Sequence, residues 1–249
     1  MAVLETIGLE KRFGGISAAS DIALTIGKGA RHALIGPNGA GKTTVINLLT
    51  GVLRPTKGQI LLDGRDITEV EPHERVRLGI ARTFQINQLF GDLTPIEAIG
   101  LAVSERMGTG THWWRLAGAN PDVVEDVVSL IEQFHLADVM YERTAILPYG
   151  KQRLLEIALA IACRPRVLLL DEPAAGVPDA ERHEILATIG KLPKDVTVLL
   201  IEHDMDIVFS FAERISVMVN GALFVEGSTE EIARDPRVKA VYLGEDAHV

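Results

Sequence analysis

The 249-residue sequence holds a single cysteine, Cys163, which excludes an intrachain disulfide. It follows Ala160-Ile161-Ala162, a setting that suits a small buried residue better than a reactive thiol. No uninterrupted apolar stretch approaches the ~20 residues of a membrane-spanning helix. The first residues, Met1-Ala2-Val3-Leu4-Glu5, lack the basic segment and apolar core of a secretory signal. The chain is therefore expected in the cytosol, with any role at a membrane exercised through a partner. Basic residues are outnumbered as well: 25 Lys and Arg against 34 Asp and Glu leave a net charge of −9, which argues against a general nucleic-acid binder. Repeats and low-complexity tracts are missing too.

What is present belongs to a folded globular chain: 47% hydrophobic and 24% charged residues, enough for one large domain or a domain with an inserted lobe. The most informative stretch is Gly36-Pro37-Asn38-Gly39-Ala40-Gly41-Lys42-Thr43-Thr44. It follows the apolar run Ala33-Leu34-Ile35 and precedes a helical pattern, Val45 to Thr50, that stops at Gly51. Strand, glycine-rich turn and helix in that order are the context in which G-x-x-x-x-G-K-[ST] carries meaning. The glycines let consecutive backbone N–H groups face a phosphate, and the helix start adds favourable partial positive charge. Lys42 is placed for the β- and γ-phosphates and the Thr43 hydroxyl for Mg²⁺. The stretch is expected to be a nucleotide phosphate site.

Along the chain, residues 3–13 are weakly strand-like, Ile22–Ile26 alternates as a half-buried strand, and Gly58–Gly64 is a short strand bounded by glycines. Residues 72–79 look helical, with Pro72 in the first turn, and Ile80 to Gln85 is a strand running into a loop. From about Thr94 to Arg164 helical patterns replace strands. Asn120 and Pro121 start a helix whose Val123, Val127, Leu130, Ile131 and Phe134 form one apolar stripe. Residues 104–119 are loop-like and carry Trp113-Trp114, read as a cover for the lobe, with a partner contact as the competing reading. A further apolar helix runs from near Gly150 to Cys163. Val167–Leu170 and Val196–Ile201 are strands buried on both faces, with a helix from about Ala180 to Leu192 between them. Residues 215–225 form a hairpin around Asn220-Gly221, followed by helix and tail.

Three of these strands end in polar groups: Gly36, then Asp171-Glu172, then His203. Ligands of parallel α/β sheets lie beyond the carboxyl ends of the strands, so these groups are expected around one triphosphate. Asp171 suits a Mg²⁺ ligand acting through water, Glu172 a group that polarises a water for in-line attack, and His203 a donor to the γ-phosphate. Taken singly, a helix cap for either acid and a surface imidazole for His203 remain open. Gln85 also ends a strand, which alone says little.

The phosphate loop, Thr83-Phe84-Gln85, Leu147 to Arg153, Val167 to Pro173 and Ile201 to Asp204 follow the order seen in ATP-binding cassettes of ABC transporters, and almost the whole chain resembles them. Arg82-Thr83-Phe84-Gln85, Tyr149-Gly150-Lys151-Gln152-Arg153 and Ala174-Ala175-Gly176 are most similar to cassettes of branched-chain amino-acid importers. The resemblance implies a P-loop NTPase core of the α/β class. A parallel sheet, an antiparallel β subdomain and an inserted helical lobe at residues 94–164 would form one domain spanning 1–249. It implies a Walker A loop at 36–44, a Q-loop at Gln85 that also reaches the metal, and a signature at 147–153 presenting Pro148, Tyr149 and Gly150 to nucleotide. Walker B would lie at 167–172 and a switch histidine at His203. Phe13 matches the aromatic that stacks on adenine, against the competing reading of a core aromatic.

The same resemblance implies ATP and Mg²⁺ as cofactors and a head-to-tail dimer of cassettes, with a heterodimer expected in the working complex. It further implies two permease subunits docked near Gln85 to Glu97, no nucleic acid, and a place on the inner face of the cell membrane held through the permeases. Ile86, Leu89, Phe90 and Leu93 in that segment suit the docking role or a lobe core equally. The chain departs from the pattern at Leu147-Pro148, where Leu-Ser is common, at Lys151, and at Pro178-Asp179, where Asn-Pro is frequent. Rival functions are a soluble ABC ATPase acting on DNA or ribosomes, and a weakly active regulatory cassette. Against them stand the absence of sustained heptads, the single cassette in the chain, and an intact Glu172.

Overall fold

A computed structural model describes residues 1–83, 89–108 and 120–243. Its strands, in chain order, are β1 (Ala2–Phe13), β2 (Ile16–Ile22), β3 (Thr25–Gly27), β4 (Arg31–Ile35), β5 (Lys57–Leu62), β6 (Arg65–Asp66), β7 (Ile80–Arg82), β8 (Val167–Asp171), β9 (Thr197–Ile201), β10 (Arg214–Val219) and β11 (Ala222–Ser228). Its helices are α1 (Lys42–Leu49), α2 (Pro72–Leu78), α3 (Pro95–Arg106), α4 (Pro121–Gln133), α5 (Tyr149–Ala162), α6 (Asp179–Gly190), α7 (Met205–Phe211), α8 (Thr229–Arg234) and α9 (Pro236–Leu243). The chain divides into two units: Met1–Ile80 with Arg166–Glu172 and Pro193–Val249, and Ala81–Pro165 with Pro173–Leu192.

The first unit holds two sheets. One is antiparallel, in the order β2-β1-β5-β6 with β3 also on β1. The other runs β11-β10-β4-β9-β8, with the strand that begins at Ile80 at its edge. In it β10, β4, β9 and β8 are parallel and β11 is antiparallel to β10. Every residue of β8 and β9 is buried, as the unbroken apolar runs require. Alternation along a strand assigns side chains to opposite faces. Leu34, Leu169 and Leu199 join α1 and the antiparallel sheet in one core, while Ala33, Ile35 and Val217 join Val208 and Ile232 in another. Burying each such leucine contributes about 2 kcal/mol.

The expected strand Ile22–Ile26 is divided, with β2 ending at Ile22 and β3 beginning at Thr25. Thr6 is the cause: its hydroxyl donates to Ile22 O and accepts from Leu24 N–H, both at 2.9 Å, replacing ladder partners with a side chain. A second buried polar residue, Arg75, closes the far end of α1. Its guanidinium donates to Leu48 O (2.7 Å), Leu49 O (2.9 Å), Val70 O (2.9 Å) and Thr68 O (2.8 Å). It thereby serves the last two carbonyls of α1, of which Leu48 O also accepts from Gly51 N–H at 3.1 Å, and sets a cation against the negative end of the dipole. A polar network runs from buried His32 and Ser216 to the surface of the parallel sheet. His32 Nε2 lies 2.8 Å from Ser216 Oγ, which donates to Glu226 at 2.8 Å, and Arg214 donates to the other oxygen of that carboxylate.

The second unit is helical. Thr94 and Glu97 form a reciprocal capping box at the start of α3, with Pro95 first in the helix. Asn120 caps α4 by accepting from Asp122 N–H, and the stripe from Val123 to Phe134 is buried. Arg106 donates to Ala162 O at the end of α5 and pairs with Asp126 of α4, which also takes Arg164. One acid with two cations thus joins three helices. Helix α3 continues to Arg106, past the start of the expected loop at 104. Trp113 and Trp114 lie outside the described residues.

Candidate nucleotide site

The register of the parallel sheet sets Leu34, Ile201 and Asp171 in one row, since Leu34 and Asp171 both pair with Ile201. The next residues of all three strands, leading to Gly36, His203 and Glu172, therefore leave the sheet from the same edge. Three of the four groups that the sequence puts at strand ends are thus brought together; the fourth, Gln85, lies outside the described residues.

The loop after β4 is shaped by what it cannot accommodate. Gly36 has φ 151, and a Cβ there would strike Met218 O; Gly41 has φ 99, and a Cβ would strike Ala18 O. Any side chain at either place would push the loop off the strands it rests on. The hairpin turn at Asn220-Gly221 braces the loop from behind, as Gly221 N–H donates to Ala40 O at 3.0 Å while its carbonyl accepts from Ser20 N–H at 2.8 Å. That brace carries no sequence signal beyond an ordinary Asn-Gly turn. Among the described residues, no side chain caps α1 and no acidic residue occupies its first turn. Its positive end and leading N–H groups are left for an anion, as a phosphate cradle requires. Lys42 is buried, with Nζ donating to Gly36 O (2.5 Å) and Pro37 O (3.0 Å). Thr43 beside it is exposed, as are Asn38 and Gly39, while Ala40 is buried and Pro37 and Thr44 are half-buried.

Asp171 is buried at the end of β8. Glu172 has φ 47, a conformation that costs a non-glycine residue about 1 kcal/mol or more and turns the chain sharply off the strand line. It is held there by its N–H, which donates to Ile201 O at 2.9 Å. Its carboxylate stays partly open and lies 3.5 Å from His203 Nδ1, which is also 3.8 Å from Glu202 Oε2. The imidazole itself is 64% exposed. Burial pushes the Glu202 carboxyl above the usual range, against the pull of the backbone N–H groups of His203 and Asp204. Nothing in the sequence marks Glu202, because a buried acid and a solvated one after a strand look alike there.

A Mg²⁺ ion asks little of the protein, since it keeps several waters and takes one or two oxygens plus substrate phosphates. The accessible Thr43 hydroxyl and the Asp171 carboxylate, both hard oxygens beside the cradle, fit that demand.

Phe13 stands at the end of β1, 47% exposed and with Lys11 Nζ 5.3 Å from its ring centroid, so it is not a core aromatic. In the helical unit Pro148 is the N-cap of α5 and offers no side-chain cap. The Gly150 N–H, expected to face nucleotide, donates at 3.0 Å to Glu181 of α6. Glu181 sits so close over Gly150 that a Cβ there would meet the carboxylate. Tyr149 OH is 3.3 Å from Ala175 O and accepts from Arg153 at 2.7 Å, with the guanidinium 5.1 Å from its ring. Phe90 is 73% exposed. No helix among the described residues is long and apolar enough to cross a membrane.

Comparison with known proteins extends the geometry. The family described as ABC transporter matches residues 19–175, and that described as branched-chain amino acid ATP-binding cassette transporter matches residues 223–248. The chain is 41% identical over 254 residues to the high-affinity branched-chain amino acid transport ATP-binding protein BraF of Pseudomonas aeruginosa, covering 98% of each chain. It is 37% identical over 250 residues to the high-affinity branched-chain amino acid transport ATP-binding protein LivG of Escherichia coli, again covering 98% of each. The ADP conformation of an ATP-binding cassette of an ABC transporter superposes with a TM-score of 0.84 at 31% identity, over 98% of this chain and 99% of the other.

Proposed function

Because the chain belongs to the ABC transporter family of ATP-binding cassettes, we propose that it hydrolyses ATP to drive import of branched-chain or closely related amino acids through permease partners. The observation that carries the reading is the shared sheet edge: the phosphate loop, Asp171, Glu172 and His203 follow three neighbouring strands whose ends lie in one row. The substrate class is supported by the descriptions of BraF and LivG and by the C-terminal match at residues 223–248.

The residues divide the work by position. Backbone N–H groups of Gly36 to Thr44 and the start of α1 hold the phosphates, and Lys42 exchanges its loop carbonyls for phosphate oxygens. Phe13 offers an open ring face to adenine. Thr43 and Asp171, with Gln85 as the further expected ligand, would hold Mg²⁺, which would supply neutralisation of the phosphate charge. Glu172, aimed off the strand by its left-handed backbone, orients the attacking water and takes its proton. His203 donates to the γ-phosphate as charge gathers there.

The helical unit serves as the family's inserted lobe, and its Pro148-Tyr149-Gly150 segment completes the ATP site of a second cassette, a heterodimer in the working complex. Two permease subunits dock near Gln85 to Glu97, where Phe90 is open to contact, and hold the protein on the inner face of the membrane. Pull-down of the tagged chain from solubilised membranes, followed by mass measurement, tests this. Two cassettes with two permeases are expected; recovery only as a soluble species or on ribosomes overturns the transport reading.

A further inference from the structure

Glu202 directly follows β9, one residue before His203, and its side chain is 3% exposed. One carboxyl oxygen, Oε2, accepts the His203 backbone N–H at 3.2 Å and lies 3.8 Å from the ring Nδ1. The other, Oε1, is buried with no hydrogen-bond partner among the described residues. A buried oxygen left unpaired is rare in folded proteins and calls for an explanation beyond packing. An apolar residue would fill the same space without the penalty.

The surroundings supply one. The β8–β9 pairing sets Asp171 opposite Ile201, so Glu172 and Glu202 leave adjacent strands side by side, and Glu172 N–H is tied to Ile201 O at 2.9 Å. Two carboxyl groups thus flank His203 Nδ1, one from each strand. An exposed imidazole on a turn has free rotation about two bonds. Here its backbone is clamped by Glu202 and its Nδ1 is drawn toward the two acids, which leaves Nε2 as the nitrogen available to a ligand.

We propose that Glu202 is a positioning residue for ATP hydrolysis, clamping the turn after β9 and setting the His203 ring so that Nε2 is presented to the γ-phosphate. The inference rests on the role given above to His203. Glu202 acts through His203 alone and touches no reacting atom.

The test is a double-mutant cycle on the assembled cassette–permease complex, under single-turnover conditions so that slow variants remain measurable. Glu202→Ala should lower the rate about tenfold while the KM for ATP stays within about twofold. Glu202→Gln, whose amide oxygen still accepts the His203 N–H, should stay within about threefold of the parent. In a His203→Ala background, Glu202→Ala should cost nothing further, because its target is gone. If Glu202→Ala fails to fold, Glu202→Asp, one methylene short of the clamp, takes its place with the same expectation. Equal losses with and without His203, or full activity in Glu202→Ala, overturn the proposal. A His203→Ala variant with unchanged rate would instead refute the role of His203, and the two failures are distinct.

Discussion

Arg75→Ala is expected to destabilise the protein more than any surface change, and the structure sets the size. The guanidinium is buried and gives four hydrogen bonds to backbone carbonyls, two of them the last carbonyls of α1. Hydrogen bonds to a charged group contribute about 1.5–3 kcal/mol each. They do not add, because water entering the space left by the side chain recovers part of the loss. Burial also pulls the Arg75 pKa below its usual value, partly opposed by Glu69, Glu71 and Asp66, so the charge is itself held at a cost. The net loss should be about 3–5 kcal/mol, or roughly 6–20 °C in Tm at 2–4 °C per kcal/mol for a chain of this size. Arg75→Lys should fall between, since one ammonium cannot serve four divergent carbonyls. Scanning calorimetry of the three proteins measures it. A Tm for Arg75→Ala within about 2 °C of the parent would refute the claim that this side chain closes α1.

Three further outcomes are expected. Burial holds the His32 pKa below the ordinary imidazole value of about 6.5, the nearby Glu226 opposing and Arg214 reinforcing the shift, so the unfolded chain binds the proton first. This part of the stability is complete above about pH 6.5 and is lost as pH falls toward the lowered native value; urea unfolding from about pH 7.5 to 5.5 should show the slope, and His32→Gln should flatten it. Glu181→Gln keeps an acceptor for Gly150 N–H but removes a charge where a partner's phosphate must arrive, so ATP-dependent association of the cassettes should tighten about fivefold, and unchanged sedimentation profiles would count against it. Pro148→Ser adds an N-cap hydroxyl, about 1 kcal/mol for α5, and donors toward the partner's ATP. Turnover in a complex whose own loop carries Lys42→Ala should rise, and no rise means those donors do not limit the site.

Sequence patterns made the strands and helices of the site visible because each has a strong local cause: β8 and β9 are continuous apolar runs, and α4 carries its cap and stripe in the residues themselves. What stayed hidden depends on contacts between distant residues. Arg75 lies 26 and 27 positions from the carbonyls of α1 it serves, and nothing in Arg-Val-Arg marks it as the buried arginine. The break between Ile22 and Thr25 comes from a threonine on another strand. Glu181 on Gly150 joins two helices, and the Glu202 clamp depends on which of several acids the sheet encloses.

The central claim is that ATP hydrolysis at Glu172 powers amino-acid import, and uptake measures it most directly. Cells whose only copy carries Glu172→Gln should take up labelled leucine, isoleucine and valine at background rates through this system. The purified variant should still bind ATP while hydrolysing it about 10² to 10⁴ times more slowly. Uptake at the parent's rate in those cells would contradict the account.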